Sequence, residues 1–238
     1  MPEQRERVGG RRAQFDLDDI VSAGLRVGLP GLSVQAVASI LGVSPTAVYR
    51  LVPGRVALER LIGEAVLAGL ELVDDPAMSS AEHLVDFTMK MRAFTLANPG
   101  SAAYFQHSFP RGASGARLMA AEVAALTARG YEPNAAAGLC GAVASLALGL
   151  LSAEDARLAR AAEFADPEEE TANTIAAILD DPLLAAAHAG IPAVGPDEYF
   201  LITMTGAVRG LVDLLPPGRP LGELLAATRN AMPKETEN

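Results

Sequence analysis

Residues 31–49 read GLSVQAVASILGVSPTAVY, and the spacing of residue types in this stretch decides the fold. Ser33 is a good N-cap, because its hydroxyl can accept an unpaired backbone N–H of the helix that follows. Apolar residues then recur at helical spacing over residues 34–41. Gly42 ends that helix, since glycine adopts the left-handed conformation without a Cβ penalty. Ser44, followed by proline at the first helical position, starts a second short helix.

This pair of helices predicts a DNA-binding element, because two short helices joined by a glycine turn present the second one to the major groove. Val48 and Val52 lie one turn apart and are expected to face a small core. The outward face of the second helix is then made of Pro45, Thr46, Tyr49 and Arg50.

The side chains of that outward face leave two roles open at several positions. Arg50 can take the N7 and O6 of a guanine with its fork, or it can contact a phosphate. Thr46 can bond a base edge or place its methyl group against that of thymine, and Pro45 offers apolar contact alone. Tyr49 reaches a phosphate with its hydroxyl or packs against the first helix.

Neighbouring residues extend this predicted surface. Gln35 suits the N6/N7 edge of adenine, with a solvated amide as the alternative. Ser33 and Ser44 are expected to hold phosphates at helix N-termini and Arg55 to hold one as a cation; plain capping and surface charge are the alternatives. The arginines at 11 and 12 are expected to enter a minor groove or to add unspecific attraction.

Charge is distributed unevenly along the 238 residues, whose net charge is −10. Residues 1–60 hold eight arginines against six acidic residues, a balance of +2, which leaves −12 for the remainder. An acidic body repels DNA and leaves the basic end as the favourable approach. The other interpretation is that the negative charge keeps a large apolar domain soluble.

Composition predicts an all-α protein with a sizeable core, because half of the residues are apolar and β-branched alternation is nearly absent. No apolar leader opens the sequence and no uninterrupted apolar run reaches about 18 residues, so we expect a cytoplasmic protein. Cys140 is the single cysteine, which excludes a disulfide within one chain and predicts a buried, inert thiol.

The pattern of turn residues divides the chain. Residues 1–14 are expected to be a disordered basic arm, 15–54 a DNA-binding domain, 55–74 a connecting helix and 75–238 a larger helical domain. Within these, a short helix is predicted from residue 45, and longer ones at about 16–29, 34–41, 55–72, 79–97, 101–109, 114–129, 133–161, 168–188, 197–215 and 220–231.

The segment from Gly31 to Leu58 resembles the tetracycline-repressor (TetR) family of transcriptional regulators. The residues that carry the resemblance are Leu41-Gly42-Val43-Ser44, Val48-Tyr49 and the tail Pro53-Gly54-Arg55-x-Ala57-Leu58. The resemblance implies a three-helix helix-turn-helix domain, a fourth connecting helix and a larger helical domain that dimerises and binds an effector. Residues 118–155, with the run Leu148 to Asp155, are more weakly similar to the tetracycline-repressor branch of that family.

The sequence departs from the family pattern at two places. Leu51 stands where the family commonly has histidine, and leucine cannot donate to a phosphate. In the tetracycline branch, a metal-coordinating histidine lies shortly before a proline that Pro110 resembles. Here that position is Phe105 and the nearest histidine is His107, so we expect no metal and no cofactor.

The predicted effector site gathers most of the aromatic and soft side chains of the second domain, which suit a largely apolar guest. Ordinary core packing is the alternative for each member. The candidates are Phe87, Met91, Phe94, Tyr104, Phe105, His107, Phe109, Met119 and Leu146.

A homodimer on a palindrome is expected, since one such domain contacts too little DNA for useful affinity. The helix over 197–215 and the helix from Asn134 carry apolar residues that, doubled by symmetry, form a four-helix interface or else an intramolecular core. Gly206 and Gly210 permit close helix approach.

The sequence therefore favours a repressor that leaves a palindromic operator when a small apolar effector binds. An enzyme is not expected, because no catalytic constellation or phosphate loop is present. The alternative is a helical small-molecule-binding or interaction protein that does not bind specific DNA.

Overall fold

The computed structural model describes residues 15–107 and 112–231, without the side chains of residues 167, 168 and 231. These residues contain helices and no strand, which confirms the all-α prediction. The predicted basic arm lies outside the described residues. The helices are α1 Leu17–Val27, α2 Val34–Leu41, α3 Pro45–Tyr49, α4 Arg55–Ala68, α5 Ser80–Ala97, α6 Ser101–His107, α7 Ala113–Ala128, α8 Pro133–Ala161, α9 Pro167–Leu179, α10 Pro182–Ala189, α11 Pro196–Leu214 and α12 Leu221–Ala231.

The chain divides into two compact units, residues 1–65 and 66–238. The first holds α1 to α3 and most of α4. Its buried side chains come from all four helices, among them Ile20, Val37, Val48 and Ile62. Gly24 of α1 makes room for α4, since a Cβ there would stand 2.3 Å from Cδ1 of Ile62.

Helix α4 is shorter than predicted and crosses the boundary between the units. It ends at Ala68 instead of continuing to about residue 72, and residues 70–75 are irregular. Gly69 follows directly, where glycine weakens helix continuation. The carbonyls at this end are partly satisfied from α7, because Nη2 of Arg117 donates to the oxygens of Ala68 and Leu70.

Helix α8 forms the centre of the second unit, with α5, α6, α7, α11 and α12 in contact with it. Its length and apolar composition alone would also suit a membrane span. Seven of its residues between Ala135 and Leu151 are buried within the unit, in one cluster with Leu126 of α7 and Met204 of α11. It is therefore a core helix.

Residues 168–188 do not form the single helix that the sequence analysis predicted. Helix α9 ends at Leu179 and α10 starts at Pro182, with the side chain of Asp181 accepting from the backbone N–H groups of Leu183 and Leu184. Proline has no N–H to continue a helix and aspartate caps a new one, so the pair splits the segment. Both helices leave apolar residues such as Leu183 and Leu184 exposed.

A buried arginine joins three helices of the second unit. Nη2 of Arg92 on α5 lies 2.8 Å from Glu154 on α8 and 2.9 Å from Asp197 on α11. Its guanidinium also lies over the ring of Phe200. This cluster fixes the relative positions of α5, α8 and α11.

Candidate DNA-reading surface and candidate effector cavity

The helix-turn-helix is held by local caps. Oγ of Ser33 accepts from the backbone N–H of Ala36 at 3.1 Å, and Oγ of Ser44 accepts from that of Ala47 at 3.3 Å. Gly42 has φ 66° and ψ 30°, the left-handed conformation expected for the turn. The two serine hydroxyls are therefore engaged as caps in the free chain, with Ser33 half-buried and Ser44 exposed.

The structure leaves most of the predicted DNA-reading residues exposed. Val48 and Val52 are buried, as predicted from their spacing. Leu51 is also exposed, which adds an apolar side chain beside the surface. Gln35 on α2 is exposed together with Pro45, Thr46, Tyr49 and Arg50.

The two arginines of the helix-turn-helix region differ in their partners. Arg55 makes a 2.6 Å contact through Nε with Glu59, one turn along α4. This exposed pair is weak, so a phosphate can replace the carboxylate. Arg50 has no hydrogen-bond or ionic partner within the ranges that the structure covers, so its fork is available.

The charge balance of the first unit depends on residues that precede α1. Residues 15–65 hold four arginines and five acidic residues, a net charge of −1. The positive balance of residues 1–60 therefore comes from the arginines at positions 5, 7, 11 and 12, which lie outside the described residues.

The second unit contains a partly open cavity of about 320 Å³, a size that accommodates a small organic molecule. Its walls come from α5, α6, α7 and α8, from the last turn of α4 and from the stretch that follows it. Five predicted effector-site residues line it: Phe87, Met91, Phe94, Phe105 and Met119. The walls also include Leu67, Leu70, Leu72, Thr95, Gln106, Gly115, Leu118, Glu122, Cys140, Gly141, Ala144, Ser145 and Leu148.

Three predicted effector-site residues do not line the cavity, and Phe109 lies outside the described residues. Leu146 is 47% exposed, because α8 turns positions 141, 144, 145 and 148 to the cavity and position 146 away from them. Tyr104 packs edge-on against Phe105 behind the wall. His107 is exposed, and its Nδ1 lies 2.7 Å from the carbonyl oxygen of Ala103.

Glu122, the acidic residue of the cavity wall, begins a series of charged contacts that the sequence analysis did not predict. Oε2 of Glu122 lies 3.0 Å from Nε2 of His83, and both side chains are buried. Nδ1 of His83 is 3.0 Å from Oδ1 of Asp74, close enough for attraction between charges but off-line for a hydrogen bond. Arg129 donates to both carboxylate oxygens of Asp74. These hydrogen bonds, followed by the charge of Arg129, lower the pKa of Asp74.

A periodic signal for Glu122 was present in the sequence. Leu118, Glu122 and Leu126 are spaced by four, which places an acidic residue in the buried stripe of α7. Its partner His83, 39 residues away, had no such signal.

Cys140 lies in the cavity wall and is buried, as predicted. Burial, followed by the charge of Glu122, raises the pKa of its thiol to about 12. A thiol of this kind is a poor nucleophile at neutral pH. Over residues 15–107 and 112–231, no group of three or more His, Cys, Asp or Glu side chains is arranged to hold a metal ion.

No protein-family model matches the sequence, and no curated protein matches it significantly. Solved structures of TetR-family regulators share the fold. The TetR-family protein ActR from Streptomyces coelicolor, in complex with actinorhodin, has a TM-score of 0.70 at 20% identity, covering 84% of this chain and 96% of its own.

Two other structures cover similar shares of the chain. BioQ from Mycobacterium smegmatis has a TM-score of 0.60 at 17% identity, covering 84% of this chain and 99% of its own. A TetR variant from Acinetobacter baumannii AYE, in complex with minocycline, has a TM-score of 0.58 at 20% identity, covering 84% and 98%. The chain therefore has the TetR-family fold, as the resemblance of residues 31–58 implied.

Proposed function

We propose that this chain, which has the fold of the TetR-family regulators, is a ligand-responsive DNA-binding transcriptional regulator. It acts as a repressor that a small, largely apolar effector releases from a palindromic operator. The observation that carries the proposal is the pairing of an uncovered α3 face in one unit with an apolar cavity in the other. The protein works in the cytoplasm and is not an enzyme.

Residues of α3 and its surroundings divide into base readers and phosphate contacts. Arg50 and Thr46 read base edges, with Gln35 from α2. Tyr49 and Arg55 contact phosphates, as do the N-terminal ends of α2 and α3 at Ser33 and Ser44, and Pro45 makes apolar contact.

The effector occupies the cavity and acts through α7 and α4. Helix α7 contributes Leu118, Met119 and Glu122 to the cavity wall, and Arg117 on the same helix donates to the carbonyl of Ala68, at the end of α4, and to that of Leu70. Helix α4 begins at Arg55, next to the predicted phosphate contacts. Ligand and DNA then favour different positions of this helix, which weakens operator binding when the cavity fills.

A second copy of the chain covers the exposed face of α11. Phe200, Met204 and Val208 are buried in the core of the unit itself, so they do not serve this interface. Instead Ile202, Gly206, Gly210 and Leu214 are exposed at intervals of four, and the glycines have open space beside them. Replacing Gly206 and Gly210 with glutamate is expected to leave the helix folded and to produce monomers in sedimentation experiments.

Selection of bound sequences from a random DNA pool, with the full chain at a stated salt concentration, tests the proposal. We expect a palindrome whose half-sites are about one helical turn apart. The Arg50→Ala variant should lose about tenfold or more in affinity for it. Arg60→Ala, which removes an equal charge from an exposed position of α4, is the control. Recovery of no common sequence, or unchanged selectivity after alanine replacement of Thr46, Tyr49 and Arg50, would overturn the proposal.

The alternative function is a helical small-molecule-binding or interaction protein without a specific DNA site. The exposed Leu51 and the net charge of −1 over residues 15–65 favour it. The same selection separates the two functions, since the alternative yields cavity binding without an enriched sequence.

A further inference from the structure

We infer that Glu122 is the polar anchor of the cavity and selects an uncharged, largely apolar molecule that carries a hydrogen-bond donor, a hydroxyl or an N–H. Molecules of the same shape that lack the donor, or that present a carboxylate, are discriminated against. The inference rests on the proposed function of the cavity as the effector site and names the chemistry of the effector.

Glu122 is in the cavity wall although only 3% of its surface is exposed. Burying a carboxylate in an apolar wall is costly unless it is paired. The pairing comes from His83, which is fixed in turn between Glu122 and Asp74. The side chain of Glu122 is thus held in one position before any ligand arrives.

The number of protons on the four side chains of this series, Arg129, Asp74, His83 and Glu122, follows from their contacts. Asp74 accepts two hydrogen bonds from Arg129 and is ionised, so the nearby Nδ1 of His83 carries a hydrogen. The 3.0 Å contact between Nε2 of His83 and Oε2 of Glu122 requires one further proton between them. With that proton, Arg129, Asp74, His83 and Glu122 sum to zero charge.

A neutral polar end with a free acceptor favours a neutral donor. Oε1 of Glu122 has no hydrogen-bond partner in the part of the chain that the structure describes. A hydroxyl or N–H placed there donates to a carboxyl oxygen that otherwise has no donor. A carboxylate placed there meets another acceptor, and a cation gains no net opposite charge.

The other polar groups of the wall do not offer the same acceptor. The hydroxyls of Thr95 and Ser145 donate to carbonyls of their own helices, Arg92 and Gly141. Gln106 is exposed, at the end of α6. The rest of the lining is mostly carbon and sulfur, which holds the body of the molecule without orienting it.

Equilibrium dialysis of the full chain against three probes of one shape tests the inference: 2-naphthol, 2-methylnaphthalene and 2-naphthoate. We expect 2-naphthol to bind about tenfold or more tightly than either of the others. Glu122→Leu should bind 2-naphthol and 2-methylnaphthalene equally, and retained binding of the hydrocarbon shows that the cavity is intact. Ser145→Ala is the control, because it removes a polar group that another helix, α8, contributes to the wall and should keep the preference.

A second variant keeps the test decisive if Glu122→Leu does not fold. Glu122→Gln is nearly isosteric, and its amide can donate as well as accept, so it should bind 2-naphthoate at least tenfold better than the wild type does. Equal binding of the three probes by the wild type, or loss of the preference in Ser145→Ala but not in Glu122→Leu, would overturn the inference alone. Binding of none of the probes would overturn the inference together with the cavity as the effector site.

Discussion

The two units place their polar side chains in opposite ways. In the first, the candidate functional groups are exposed, and the caps that support them join residues three apart, as in Ser33 with Ala36. In the second, polar groups pair over long stretches of chain: the buried pair of His83 and Glu122 spans 39 residues, and the pair of Arg129 and the exposed Asp74 spans 55. The difference shows that a surface that reads DNA can be built by local rules, whereas a binding cavity needs contacts that only the complete fold provides.

The largest expected effect comes from a variant that destabilises the first unit and leaves the second unit intact. Gly24→Val should lower the free energy of unfolding of the first unit by about 3 kcal/mol, because the new side chain meets the buried Ile62. DNA binding should be lost while 2-methylnaphthalene still binds in the cavity. Calorimetry and dialysis measure the two effects. Gly222→Val is the control, since a Cβ at that helical glycine meets nothing within 4 Å; equal losses in both variants would contradict the prediction.

A second variant removes the contacts of Arg129 in the second unit. Arg129→Met should cost about 2 kcal/mol at pH 7, because it leaves Asp74 and three backbone carbonyls without their donor. Urea unfolding measures the loss. Arg60→Met, at an exposed position of α4, is the control and should change stability little.

The same variant should change the pH dependence. The pKa of Asp74 is lower in the folded chain than its ordinary value of 3.8, so this carboxyl adds stability above that pH and loses the contribution as the pH falls through its folded pKa. Arg129→Met should therefore flatten the part of the acid-induced loss that lies below about pH 4. If the stability of Arg129→Met falls as steeply as that of the wild type below about pH 4, the loss is not due to Asp74.

A smaller effect concerns the source of positive charge. Deletion of residues 2–12 removes four arginines and two glutamates. Operator affinity should fall about tenfold, and the slope of log K against log salt should become shallower by about 0.9 for each phosphate that the shortened chain no longer neutralises. Fluorescence anisotropy over a salt series measures both. An unchanged slope would place the electrostatic attraction in residues 15–65.

The smallest expected effect is at Cys140. Cys140→Ala should change the free energy of unfolding by about 1 kcal/mol and leave DNA binding as it is, since the side chain is small and lies in the cavity wall. In the native wild type, burial and a pKa of about 12 should make alkylation of this thiol at pH 8 at least a hundredfold slower than in urea. Rapid alkylation of the native chain would show that the cavity opens to solvent.

Most of the fold could be predicted because its determinants are local. Ser33, Gly42 and Ser44 fix α2 and α3 within twelve residues, and Pro133 opens α8 at its predicted start. The split between α9 and α10 was also in the sequence, as Asp181-Pro182, but the apolar pattern on both sides of that pair favoured one continuous helix.

The candidate sites were less predictable because they depend on which helix faces meet. Phe87, Met91 and Phe105 line the cavity, as their apolar character suggested. Leu146 does not, because successive residues of α8 are rotated by about 100° and position 146 faces away from the cavity. His83 and Glu122 meet only when α5 and α7 have both packed on α8, and no spacing within either helix reports that contact.

Helix α5 carries both residues that line the cavity and an arginine that holds the helices of the second unit together. Phe87, Met91 and Phe94 line the cavity, whereas Arg92 binds Glu154 and Asp197 outside its walls. Evolution can therefore replace the residues that choose the guest without touching the arginine that holds the scaffold together. A lineage built on this arrangement can change the compound it detects by a few substitutions and keep its architecture.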